Sequence, residues 1–385
     1  MKYFLFRMKR FCGFVTGFIF FISGILKLMD PVGAGLVMKE YFKFLHLGFL
    51  NFGSLAFGLA FALAEVIIGA GLITGVWRKT VALTAIALQS TFTLLTLILV
   101  IFKPEMDCGC FGEAIHLTHG ETFIKNIVLL TLLLIYYIPA RCLGRTTKKK
   151  YVSFGVVSIS SLAFAIYSLM YLPMVDFTDF KAGTVINRET AESDNSYQAV
   201  FVYQKDGKED TFTLETLPDS TWTFVRTETQ SKSQNIEKPA TVSIYDKHGN
   251  YADSLLTKGR CFIASVYKDN VSQKEQEQLN SILNHAASLG FRPLLLSATA
   301  DIDSEYLYFC DYKTLITLNR SNGGATYTDD GYIIRKWSKK ALPDHEELAM
   351  LSNEDSTDTF IGRDTRSSLA FQGFLLYVFA VMLLL

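Results

Sequence analysis

The stretch "LLTLILVIFKPEMDCGCFGEAIHLTHGETFIKNIVLLTLLLIYY", residues 94–137, decides how this chain folds. Two apolar runs enclose a short polar segment. That segment carries Cys108 and Cys110 on either side of Gly109, followed by His116 and His119. A helix needs about 20 mainly apolar residues to cross a bilayer. The runs at 80–102 and 122–140 meet that length, so the cysteines sit in a loop between two membrane helices.

Outward from this pair, the same criterion marks runs at 11–28, 50–75 and 151–173, with a shorter sixth at 369–385. The opening "MKYFLFRMKR" also fits the basic region of a signal peptide, but no A-x-A-like cleavage site follows, and the first run reads as a span. Only 19% of the residues are charged, below the usual quarter of soluble domains. The average hides a split: 1–173 is overwhelmingly apolar, whereas 174–365 has the composition of soluble protein. The formal charge is zero, and there is neither a basic stripe nor metal-finger spacing, which excludes a nucleic-acid partner.

Basic residues in short loops set the orientation. With the N-terminus inside, the inner segments carry Lys2, Arg7, Lys9, Arg10, Arg78, Lys79, Arg141, Arg145, Lys148, Lys149 and Lys150. The outer loops carry only Lys39, Lys43 and Lys103. The expectation is a cytoplasmic N-terminus, with the cysteine loop and the region 174–365 on the extracytoplasmic side. The last span fits this bias less well, since its basic flank, Arg363 and Arg366, falls on the outer side.

Glu65 is the carboxylate within a span, and an intramembrane ionisable group is a functional candidate. Its spacing from Arg78 puts it about 20 Å into the bilayer, and that of Gln89 from Lys79 gives about 15 Å, so the two can meet across neighbouring helices. They read either as a hydrogen-bonded packing pair or as a proton acceptor and headgroup partner for a quinone-like ligand. Lys27, near the outer end of the first span, can snorkel to the interface. Asp30 and Pro31 read as the N-cap and first residue of a short amphipathic helix on the outer surface.

Disulfides persist on the oxidising side of a membrane. A bridge between residues i and i+2 closes a small strained ring, eased by Gly109, and strained bridges are the catalytic or regulatory kind. Against this, Asp107 and Glu113 disfavour a thiolate, which His116 or His119 would have to offset. Three readings stay open: a redox pair, a metal site of Cys108, Cys110, His116 and His119, and a structural turn. Cys-x-Cys is not the usual zinc spacing, so no metal is favoured. Thr118 with Glu121 fits a capping box opening the next helix. Cys12 and Cys142 read as small apolar residues at inner helix ends, while Cys261 and Cys310 share the outer side and have the option of pairing.

"SGILKLMDPVGAG" with "AEVIIGAGLITGVWRKT" resembles the DoxX-like four-helix membrane proteins, and "DCGCFG" between helices three and four resembles the MauE branch, the methylamine-utilisation membrane proteins. The resemblance covers roughly 10–142. It implies a role in disulfide formation in a periplasmic partner. The bundle is also similar to the four-helix disulfide-generating quinone reductases, although their Cys-x-x-Cys is absent.

Beyond the fifth span, "YQAVFVYQKDGKEDTFTL" reads as two strands around Asp206-Gly207, "TWTFVRTETQ" as a third, and "SKSQNIEKPA" as a linker. From 239 on, the pattern predicts a hairpin turning at 248–250, a buried strand "RCFIASVY", an amphipathic helix, a second buried strand, a helix, and a hairpin at Asp330-Gly331. This order resembles the thioredoxin-like domains of periplasmic TlpA-type proteins. The family's Cys-x-x-Cys would fall in "KDNVSQ", which has no cysteine, and its cis-proline near "RSNGGA", where Gly323 and Gly324 stand. "PDHEELAMLSNEDSTDTF" reads as coil linking to the last span.

The expected architecture is a multi-pass α-helical membrane bundle with an extracytoplasmic α/β thioredoxin-like domain. Its parts are a DoxX/MauE-like domain (1–145), a fifth span (146–173), a β-rich segment (174–237), the thioredoxin-like domain (238–345), a polar linker (346–366) and a sixth helix (367–385). The expected setting is the bacterial inner membrane. The expected function is thiol–disulfide chemistry at Cys108 and Cys110 with a periplasmic thiol client and a membrane quinone. The alternative is a non-enzymatic scaffold whose thioredoxin-like domain docks a partner. Transport through the Glu65–Gln89 region ranks last, since no inverted repeat or broken-helix pair is visible.

Overall fold

A computed structural model describes residues 2–104, 106–138, 146–187, 197–205, 208–212, 218, 222–231, 240–268, 271–299 and 302–384. The Asp206-Gly207 turn, Arg141, Cys142, Arg145 and most of the 231–240 linker lie outside these residues.

The apolar runs fold as helices α1 (Lys2–Met29), α3 (Ser54–Thr74), α4 (Arg78–Phe102), α5 (His119–Tyr137) and α6 (Lys148–Met170), with α2 (Pro31–Phe44) between the first two. The five longer ones are long and apolar enough to cross a membrane. Small residues let α1 and α3 cross backbone to backbone. A Cβ on Gly24 would lie 2.6 Å from the Ala62 carbonyl oxygen, and one on Gly69 the same distance from that of Gly17. This crossing, with Val157 and Ala165 of α6, forms one apolar core, and α4 and α5 pack alongside.

Two sheets follow. Strands β2 (Tyr197–Lys205), β3 (Lys208–Phe212) and β4 (Thr223–Ser231) form an antiparallel sheet with β2 in the middle. The second is a mixed six-stranded sheet of β5 (Ile244–Tyr245), β6 (Arg260–Val266), β7 (Arg292–Ser297), β8 (Leu307–Cys310), β9 (Gly324–Asp329) and β10 (Tyr332–Trp337), ordered β10-β9-β6-β7-β8-β5. Strands β6, β7 and β8 are parallel, and the β9–β10 hairpin joins β6 antiparallel. Alternation along β6 sends Cys261 and Ile263 to one core and Phe262, Ala264 and Val266 to the other. Helix α8 (Gln273–Ser288) covers the second core, and α9 (Tyr312–Leu318) the first.

Three elements beyond α6 differ from the sequence expectation. The turn at 246–250 forms around the Asp246 carboxylate, which accepts from the His248 and Asn250 amides, but its second arm leads into the short helix α7 (Ser254–Thr257) because β5 pairs with β8. The segment expected as coil contains α10 (His345–Asn353), capped by Asp344 and fixed by buried Leu348 and Leu351. The last apolar run belongs to a 29-residue helix, α11 (Ser356–Leu384), about 44 Å long. Its apolar part, Phe371–Val381, is shorter than the five spans. Contacts of Phe374 with Phe164 and of Tyr377 with Ser160 show that α11 runs antiparallel to α6.

Helix α2 is the seat of the mixed sheet. Asp30 caps it, accepting from the Gly33 amide at 2.9 Å. Its Ala34 and Gly35 face α3, while Val32 and Leu36 pack on the sheet core that contains Cys261 and Leu315. The sequence showed one apolar face; α2 has two, and it lies between bundle and sheet instead of free on a surface.

Candidate functional site

The loop after α4 is fixed at both ends. Lys103, with positive φ, terminates α4, and Thr118 with Glu121 forms the expected capping box on α5. Within the loop, Cys110–Glu113 is extended as β1. Gly109 has φ +59°, and a Cβ there would meet Val37 of α2 at 2.3 Å, so glycine is needed for both conformation and space. The carbonyls on either side are held from different helices. Tyr41 of α2 donates to the Cys108 oxygen at 2.8 Å, and Ser23 of α1 donates to the Cys110 oxygen at 2.6 Å.

Both cysteines are free thiols; Cys108 is buried and Cys110 half-buried. The Cys108 sulfur lies 3.5 Å from Nδ1 of His119, whose Nε2 lies 3.2 Å from the Pro104 carbonyl oxygen. A carbonyl only accepts, so the hydrogen-bond network assigns the proton to Nε2. In the neutral ring, Nδ1 then presents a lone pair to the thiol. Burial pushes the Cys108 pKa up, with the neighbouring Cys110 and Asp107 adding to it. His116 turns to Asp107 at 3.5 Å, exposed and away from the sulfurs. Among the described residues, no group of three or more His, Cys, Asp or Glu side chains is arranged to hold a metal ion.

The two cysteines line a cavity of about 210 Å³ between α1, α2, α3, α4 and α5, together with Glu65 and Gln89. Glu65 does not bond to Gln89. It accepts from Lys27 at 2.5 Å and from Ser23 at 2.8 Å. Lys27 therefore turns inward, not to the interface, and its ammonium also stands 5.5 Å over the Phe92 ring. Gln89 donates to the Asn126 side-chain and backbone oxygens at 3.1 Å, and Asn126 donates to Thr96 at 3.2 Å. Ser23 bonds both Glu65 and the Cys110 carbonyl, linking the intramembrane ion pair directly to the cysteine loop.

Sequence reasoning missed Ser23, Tyr41, Asn126 and the inward turn of Lys27. A signal existed for Ser23 and Lys27, which are one helical turn apart and so share a face. It missed Arg320 too, and no local signal marks that residue. Arg320 follows α9 and reaches Asp30 and Glu113, each at 3.0 Å. Burial, opposed by Arg320 and reinforced by Asp30, holds the Glu113 carboxyl above the usual range. Cys261 and Cys310 are both buried and free on β6 and β8, and Cys261 donates to the Leu255 carbonyl.

Residues 3–139 match the family described as Methylamine utilisation protein MauE. Residues 197–234 match a second family, described as Domain of unknown function (DUF8463). No curated protein and no solved structure matches the chain. Residues 3–139, which build the helical bundle around the cavity, are thus a MauE family domain, and the chain carries five helices long and apolar enough to cross a membrane.

Proposed function

We propose that Cys108 and Cys110 are a thiol–disulfide exchange pair that draws electrons from an extracytoplasmic thiol protein and passes them into the bundle cavity. The observation that carries this reading is the placement of both cysteines on one cavity with the Glu65–Lys27 pair, with His119 Nδ1 beside the Cys108 sulfur. The exchange balances. Two client thiols become one disulfide, and the Cys108–Cys110 disulfide takes up their two electrons and two protons. A membrane quinone accepts two electrons and two protons, the amount that one dithiol gives up. Its head group fits the wall chemistry of Phe20, Phe61, Phe92 and Leu95 beside the Lys27 ammonium. The cavity is smaller than the roughly 300–1,000 Å³ of drug-sized sites, which suits a single ring. Within the protein, His119 takes the Cys108 proton, and Glu65, Lys27 and Ser23 form the polar path from the loop into the span.

The chain is read as a bacterial inner-membrane protein, and the basic residues of the short loops support a cytoplasmic N-terminus with loop and sheet extracytoplasmic. The mixed sheet is read as a thioredoxin-like domain that positions the client. Support comes from a central β6 with a parallel neighbour on one side, the β9–β10 hairpin on the other, and helices α8 and α9 in the connections. Its own dithiol is lacking, since residues 267–273 contain no cysteine.

The test uses the full chain in lipid, reduced and then given a short-tailed benzoquinone. The peptide carrying Cys108 and Cys110 should lose both alkylation adducts as the disulfide forms. Sulfurs that remain alkylatable in the presence of the quinone overturn the proposal. The scaffold alternative draws on the burial that raises the Cys108 thiol. Under it, the Cys108→Ser, Cys110→Ser double variant retains full function in cells.

A further inference from the structure

Among the described residues, Arg320 of the sheet domain bonds the cysteine loop. Arg320 lies in the turn between α9 and β9, and its side chain is 4% exposed. Its three nitrogens have separate tasks. Nε donates to Asp30 at 3.0 Å, Nη2 to Glu113 at 3.0 Å, and Nη1 to the Ile316 carbonyl at 3.3 Å. The Arg320 backbone is fixed in turn, its carbonyl accepting from Tyr267 at 2.8 Å. A planar guanidinium that serves two carboxylates fixes direction as well as distance.

Each carboxylate belongs to one half of the cradle around the cysteines. Asp30 caps α2, the helix that presses Val37 on Gly109 and holds the Cys108 carbonyl through Tyr41. Glu113 ends the strand that begins at Cys110. One cation from the sheet therefore ties the helix behind the loop to the loop itself.

We infer that Arg320 is a positioning residue for the Cys108–Cys110 pair, through which the sheet domain biases the loop toward its dithiol form. This rests on the exchange reading above. The contacts belong to a loop with free thiols and Gly109 wedged against Val37. Joining the sulfurs closes a small ring across Gly109 and redirects that backbone. A clamp fitted to one of two loop conformations shifts the equilibrium toward it by its differential interaction. With the clamp in place the disulfide is the stronger oxidant, as a protein that oxidises client thiols requires.

The experiment equilibrates the full chain in lipid with glutathione buffers of graded ratio, where one disulfide plus two glutathione thiols gives one dithiol plus oxidised glutathione. Glu113→Ala removes the loop arm and keeps the Arg320–Asp30 pair; Arg320→Gln removes both arms. Both variants should shift the equilibrium about tenfold toward the disulfide, about 30 mV more negative. Asp176→Asn loosens the sheet elsewhere, by breaking its 2.7 Å pair with Lys336, and should leave the equilibrium where it was. A second readout needs no disulfide: alkylation of Cys108 should speed up about tenfold in Glu113→Ala as the loop opens. If Arg320→Gln fails to fold, Glu113→Ala decides. Wild-type values of both readouts in folded Glu113→Ala overturn the inference, and so does an equal shift in Asp176→Asn. Faster alkylation in a chain that forms no disulfide at any ratio upholds the clamp and overturns the exchange reading.

Discussion

The chemistry of the loop is settled within a few ångströms of Cys108. Burial raises its pKa, so the thiolate fraction at neutral pH lies below that of an ordinary thiol. The rate of Cys108 alkylation should therefore keep rising with pH beyond the point where a free cysteine levels off. A plateau at or below the ordinary thiol range in a rate–pH profile contradicts this. Gly109 carries a separate cost. An alanine there loses about 1–2 kcal/mol to the left-handed backbone, before the clash with Val37 is counted. Thermal unfolding should show Gly109→Ala destabilised, with part of the loss returned by adding Val37→Ala. At this scale the sequence disclosed what is local. Cys108, Cys110 and the Thr118–Glu121 box lie within a few residues of each other. It did not disclose partners brought in from afar: Lys27 and Glu65 are 38 residues apart, and Arg320 and Glu113 are 207 apart.

At the scale of elements, hydrophobic length made the five spans legible, because a bilayer imposes it on every crossing helix. The α1–α3 crossing uses Gly69, one of the glycines that follow Glu65. Replacing Gly24 with leucine should cost at least the ~1–3 kcal/mol of an overpacked core, since the new side chain meets backbone at Ala62. An unchanged melting temperature of that variant in detergent contradicts the crossing. Helix α2 was harder to read. Its small residues serve α3 and its branched ones serve the sheet, so no single stripe describes it. Helix α10 was hidden by its acidic surface; only Leu348 and Leu351 reach the core. The start of α11 is joined to the sheet by the Tyr327–Ser356 hydrogen bond at 2.7 Å, a contact between distant parts of the chain.

For the whole molecule, the seat of the sheet on the bundle is polar at its margins. Lys313 pairs with Glu40 at 2.9 Å, Lys39 lies over the Tyr312 ring, and Lys336 pairs with Asp176 just beyond α6. Burial works to raise the Asp176 pKa, but Lys336 and the Thr178 hydrogen bonds outweigh it and the net shift is downward. A depressed carboxyl stabilises the fold above the ordinary aspartate range, and that contribution is lost as pH falls through the folded value. Acid should therefore loosen the segment after α6 from the sheet at Lys336, as protease sensitivity there would report. Asp176→Asn should reproduce this local loosening at neutral pH, with the Arg320 contacts to Asp30 and Glu113 kept, at a cost of up to about 3–5 kcal/mol for a buried pair that loses one partner. A variant as protease-resistant as wild type contradicts the seat. None of these seams was legible, because each joins segments whose own patterns are complete without it.

The proposed exchange requires a cysteine pair that cycles between dithiol and disulfide on the extracytoplasmic side. Differential alkylation of intact cells, read by mass spectrometry on the peptide holding Cys108 and Cys110, tests this directly. Both cysteines should resist an impermeant maleimide until an impermeant phosphine is added, and should then be labelled without opening the cell. Labelling only after the cytosol is opened, or full alkylation by a permeant reagent with no reduction step, would contradict it.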